Sequence, residues 1–196
     1  MLFYHASIFL LVLLSLLLQQ FVPTFGSLYD SRILILPLVF LCCSVTTSSA
    51  AMLILAFVSG FLWDAQHVLP PDIGNAEVYK EQVEALPFGY SILLYAVMGF
   101  MMQGVQPLFQ RGKWHFSVLV SGMAIFIYLS AEYLLINFVR GDFFINRPTL
   151  LKISFTALLT MIVAPFVYGL LFYLARTFHY TIRYDGLRSR NRFNID

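Results

Sequence analysis

Charge is scarce in this chain: only 11% of its 196 residues are Asp, Glu, Lys or Arg, where a soluble globular domain carries about 25%. The scarcity excludes an ordinary water-soluble domain. A net charge of +2 is too small by itself to point to nucleic acid, because a polyanion is held by a facing basic patch of Lys and Arg, and that class of partner drops out. Cysteine is limited to Cys42 and Cys43. They are adjacent inside an apolar run, where helical neighbours point about 100° apart and a normal disulfide is awkward; they read as small buried apolar side chains. The motifs H-E-x-x-H, G-x-S-x-G, Walker A and G-x-G-x-x-G are all missing, so no reaction, metal or cofactor is assigned. No internal repeat, low-complexity tract or glycine-serine linker divides the chain.

What is abundant is apolar surface, with 60% hydrophobic and 17% aromatic residues and a mean hydropathy of +0.80. Six spans of about 20 residues would use roughly 120 positions, leaving too few for a separate soluble domain. The expected fold is an all-α polytopic integral membrane protein with five to six transmembrane helices. Residues 1–176 form its single transmembrane domain and 177–196 an arginine-rich tail.

The first uncharged run lacks a Lys or Arg ahead of its apolar core, so it reads as a membrane helix, about Phe3 to Val22, rather than as a signal peptide. The second run, Ile33 to Trp63, would be about 46 Å long as one helix, against a hydrocarbon core of about 30 Å. Its centre, Ser44-Val45-Thr46-Thr47-Ser48-Ser49, suits a tight reversal between two short helices, about Arg32 to Val45 and Ser48 to Trp63. A single long tilted helix is the alternative. Further spans are expected at about Phe88 to Phe109, Trp114 to Phe138 and Ile153 to Ala175.

Arg176, Arg183, Arg188, Arg190 and Arg192 follow the last span, and Arg111 and Lys113 precede the fifth; both groups belong in the cytoplasm by the positive-inside rule. The loop from Asp64 to Leu86 then lies outside, with Asp64, Asp72, Glu77, Glu81 and Glu84 against a single Lys80. The loop Arg140 to Lys152, also external, carries Arg140, Arg147 and Lys152 against this trend.

Asp64 and His67 could share a helical face and begin a metal or acid–base site. The plainer reading of the loop is a turn at Pro70-Pro71-Asp72 and a short solvated helix from Ala76 to Ala85. Glu132 is the one acid well inside a span. A charge at membrane depth costs roughly 2.5–3.5 kcal/mol on insertion scales, so it is expected to pair with Lys152 or Arg140 near the outer end, to couple a proton or substrate, or to meet a partner's helix. Other polar residues within spans are few: Gln19, Gln20, Gln103, Gln106 and the Ser/Thr group. A transporter lines its path with more. Small residues at four-residue spacing, Ser44/Ser48, Ala56/Gly60 and Ser117/Ser121, let helix backbones approach closely. The first span has almost none and belongs at the periphery.

The order of these elements resembles a known family. A leucine-rich first helix, two short helices ending in Gly60-Phe61-Leu62-Trp63-Asp64, a loop, then Pro87-Phe88-Gly89-Tyr90-Ser91 opening a glycine-containing helix with Arg111 beyond it is similar to the bacterial rod shape-determining protein MreD family. The likeness runs over about residues 3 to 176; the external loop and the tail are longer than the family's usual ones. It implies a small non-catalytic, multi-pass inner-membrane scaffold of the cell-elongation machinery, with its C-terminus in the cytoplasm. The implied partners are the single-span protein MreC, the RodA glycosyltransferase with its penicillin-binding protein and, indirectly, MreB filaments, besides membrane lipid. Asp64, Pro87, Gly89, Arg111 and Glu132 are the residues expected to serve as partner contacts or structural points. The family's fold is similar to the substrate-binding subunits of energy-coupling-factor vitamin transporters, which supply the alternative function; the alanine-x-x-x-alanine docking pattern of their first helix is missing here.

Overall fold

The computed structural model describes residues 2–67, 88–110, 114–140 and 147–178. These fold into six helices: α1 (Leu2–Phe21), α2 (Ile35–Thr46), α3 (Ser49–His67), α4 (Tyr90–Gln110), α5 (Trp114–Arg140) and α6 (Arg147–Thr177). Among the described residues there is no strand; one isolated backbone bridge joins Phe25 to Ser31. Helices α1, α3, α5 and α6 are each long and apolar enough to cross a membrane. The chain is a membrane-embedded helical protein.

The long second run is broken as its length requires, with α2 ending at Thr46 and α3 starting at Ser49. The hydroxyls of the reversal bond back onto carbonyls of the last turns of α2, beside the helix's own bonds. Thr46 and Thr47 Oγ1 donate to Cys43 O at 3.0 and 2.9 Å, Ser44 Oγ to Phe40 O at 2.8 Å, and the Thr47 N–H to Cys43 O at 3.1 Å. The single-helix alternative is not formed.

Helix α2 is only 12 residues long, about 18 Å, and is buried on every side from Leu36 to Thr46. A helix apolar all round belongs in the middle of a bundle, and α2 touches each of the other five. Because it is short, it begins inside the protein, where its first N–H groups would be costly orphans. Neighbouring helices supply the acceptors. Gln19 of α1 receives the Ile35 N–H at 2.5 Å and the Leu36 N–H at 3.4 Å while donating to Ile33 O at 3.1 Å; Thr160 of α6 receives the Leu34 N–H at 3.1 Å.

Close helix approaches fall on small residues. A Cβ on Gly60 would lie 2.5 Å from Ile92 Cα, so α3 and α4 pack nearly backbone to backbone. Gly99 admits Met52 and Phe40, and Gly122 admits Met161. Helix α1 joins the bundle through one stripe, Tyr4, Ile8, Val12, Ser15 and Gln19, and exposes Phe9, Leu10, Leu14, Leu17, Leu18 and Phe21. Cys42 and Cys43 are buried and unbridged.

Candidate functional site

Two of the short patterns in the sequence meet. Asp64, in the last turn of α3, is buried, and its Oδ2 accepts the Gly89 N–H at 2.7 Å. Gly89 has φ +103°, a conformation that side-chain-bearing residues rarely adopt. One turn earlier on α3, Gly60 holds the start of α4 at contact distance through Ile92. Gly60, Asp64 and Gly89 thus form one joint between α3 and α4. Asp64 is spent on this joint, and among the described residues no group of three His, Cys, Asp or Glu is placed to hold a metal. Pro87 and Arg111, the turn at 70–72, the helix at 76–85 and the tail beyond Phe178 lie outside the described residues, as do the side chains of His67 and Arg140.

Beside the joint, at the end of the bundle where α1, α3 and α5 finish and α2, α4 and α6 begin, a cleft of about 390 Å³ opens between the segment leading into α2 and the helices α3, α5 and α6. Asp30, Arg32, Trp63, Glu132, Tyr133 and Lys152 line it, with Thr24, Thr149 and Thr156 among its smaller polar groups. Glu132 is half-buried in its wall; the Trp63 indole N–H lies in hydrogen-bonding reach of the carboxylate, and Arg32 and Asp64 place opposite charges near it. Lys152, the expected partner of Glu132, lines the same cleft. Among the described residues no ion pair joins the two. The counter-charge nearest in effect comes from Arg32, which sequence distance concealed.

The segment feeding the cleft has an unusual backbone. Tyr29 and Asp30 are both left-handed, at φ 56° and 54°, an arrangement that costs roughly 1–3 kcal/mol per residue without glycine. It is held by Phe25 N–H to Ser31 O at 2.8 Å and Ser31 N–H to Leu28 O at 3.1 Å, by the Ser31 hydroxyl on Leu28 O, and by Tyr29 stacked on Phe155 at 6.0 Å.

Inward of the cleft an aromatic column continues from Trp63 to Tyr128 (6.3 Å), Tyr95 (5.5 Å) and Phe40 (5.0 Å between centroids). The Tyr95 and Tyr128 hydroxyls approach one another, and that of Tyr128 approaches Ser91, but neither hydroxyl meets hydrogen-bond geometry among the described residues. Sequence reading singled out Glu132, Asp64 and Gly89; it missed Arg32, Asp30 and Trp63. The available signal was a charged pair, Asp30 and Arg32, set directly against a long apolar run.

No protein-family model matches the chain, and no curated protein or solved structure matches it.

Proposed function

We propose that this protein is a non-catalytic scaffold of the bacterial cell-elongation machinery, similar to the MreD family. It sits in the inner membrane with its C-terminus in the cytoplasm. In this reading it binds an MreC-like single-span protein and links MreB filaments to a RodA-type glycosyltransferase and its penicillin-binding partner, so that wall is inserted along the cell's length. The observation that carries it is the joint of Gly60, Asp64 and Gly89. Three of the residues on which the family resemblance rests, Gly60, Asp64 and Gly89, come from separate stretches of chain and meet in one structural unit, which supports the reading. A scaffold needs a rigid bundle with defined faces, and a joint that fixes α3 against α4 supplies one.

Affinity purification of the tagged full-length protein in mild detergent, followed by identification of the proteins retained, tests the reading. Recovery of a single-span MreC-type protein together with a RodA-type glycosyltransferase is expected. Recovery of an ATP-hydrolysing transport module instead would replace the scaffold with a transporter's substrate-binding subunit.

A further inference from the structure

Membrane proteins seldom keep four opposite charges around one opening without letting them neutralise each other. Here Arg32 and Lys152 face the same cleft as Asp30 and Glu132, and no ion pair closes across it among the described residues. Glu132 lies about 12 Å from the end of α5 and Lys152 about 8 Å from the start of α6, so the cleft sits toward one end of the bundle and not at its middle. Its volume of about 390 Å³ falls in the range of small-ligand sites, about 300–1,000 Å³.

We propose that this cleft binds a zwitterionic group carrying a primary ammonium a few bonds from a phosphate. Arg32 and Lys152 hold the phosphate, since guanidinium and ammonium groups donate charge-assisted hydrogen bonds to its oxygens. Glu132 and Asp30 accept from the ammonium N–H groups. Trp63 lines the cleft together with Glu132 and offers its indole N–H as a further donor on that wall. Two sources share this chemistry: an ethanolamine phospholipid of the surrounding leaflet, and a free aminoalkyl phosphate from outside the membrane. A choline headgroup has no N–H to offer the carboxylates, and a glycerol headgroup has no cation. The inference is independent of the scaffold reading, because it concerns a ligand and not a protein partner.

Native mass spectrometry of the purified full-length protein tests it, with phosphatidylethanolamine, phosphatidylcholine and phosphatidylglycerol of matched chains, and with free O-phosphoethanolamine as competitor. The ethanolamine lipid is expected to be retained about tenfold over the other two, and Arg32→Gln or Glu132→Gln should each lower its retention about tenfold, as loss of one charge-assisted bond would. Arg176→Gln, on the exposed last turn of α6, should change nothing. Displacement of the lipid by the free compound, or a stoichiometric adduct of the free compound alone, assigns the site to the soluble source; retention of the lipid against it assigns the headgroup. Equal retention of the three lipids with no free adduct overturns the proposal, as does an ethanolamine preference that survives both substitutions. Should Glu132→Gln fail to fold, Lys152→Gln at the exposed rim decides: reduced retention is expected, and unchanged retention contradicts the site.

Discussion

At the residue scale, three buried polar side chains, Gln19, Thr160 and Asp64, bond backbone groups that would otherwise be orphaned. Gln19 is the clearest instance, since one amide serves Ile33, Ile35 and Leu36. Gln19→Leu leaves those buried groups without their partner and should cost about 1–3 kcal/mol, read as a lower unfolding temperature in detergent, whereas Gln20→Leu, on the exposed side of the same helix, should have little effect. The Asp64–Gly89 bond invites a graded test. Asp64→Asn keeps an acceptor oxygen and should lose less stability than Asp64→Ala, which strands a buried N–H at a cost of about 1–3 kcal/mol. Equal losses in the two variants would mean that the hydrogen bond is not what holds the joint.

At the scale of elements, helix packing depends on what each glycine faces. Gly60→Ala drives a methyl into the Ile92 backbone, which cannot turn aside, and should destabilise the α3–α4 pair by about 1–3 kcal/mol. Gly122→Ala meets mostly the flexible Met161 side chain and should cost less; Gly104→Ala meets nothing within 4 Å and should be neutral or slightly stabilising through helix propensity. Thermal unfolding of the three variants in one detergent checks this order, and a Gly104→Ala loss as large as that of Gly60→Ala would contradict it.

The same contrast separates what could be read from the sequence from what could not. Splitting the Ile33 to Trp63 run followed from length alone, and the Ser/Thr cluster marked the break, because both are local properties of the chain. That α2 is the central helix was hidden, since a segment apolar on all faces has no periodicity to say which side is inward. The Asp64–Gly89 bond spans 25 positions, and the cleft draws Arg32, Trp63, Glu132 and Lys152 from four separate stretches of chain. Glu132 could be flagged by its cost in the membrane, but its surroundings depended on tertiary packing that no spacing encodes.

At the scale of the whole molecule, six helices in alternating directions place the ends of α1, α3 and α5 together and the first and last helical residues at the opposite end. In the proposed orientation, drawn from the arginines after residue 175 by the positive-inside rule, that opposite end faces the cytoplasm. With Cys42 and Cys43 replaced by serine, a membrane-impermeant maleimide should label Asn75→Cys in intact cells and should not label Ser189→Cys. The reverse pattern would turn the molecule over and move the charged cleft to the cytoplasmic leaflet.

The scaffold reading makes its most direct commitment in the cell that produces the protein. Depletion of the protein there, followed by measurement of cell width and of the position of new wall labelled with a fluorescent D-amino acid, should give wide or rounded cells with lateral incorporation lost while division-site incorporation continues. Rods of unchanged width, with lateral incorporation intact after the protein has disappeared, would contradict the account.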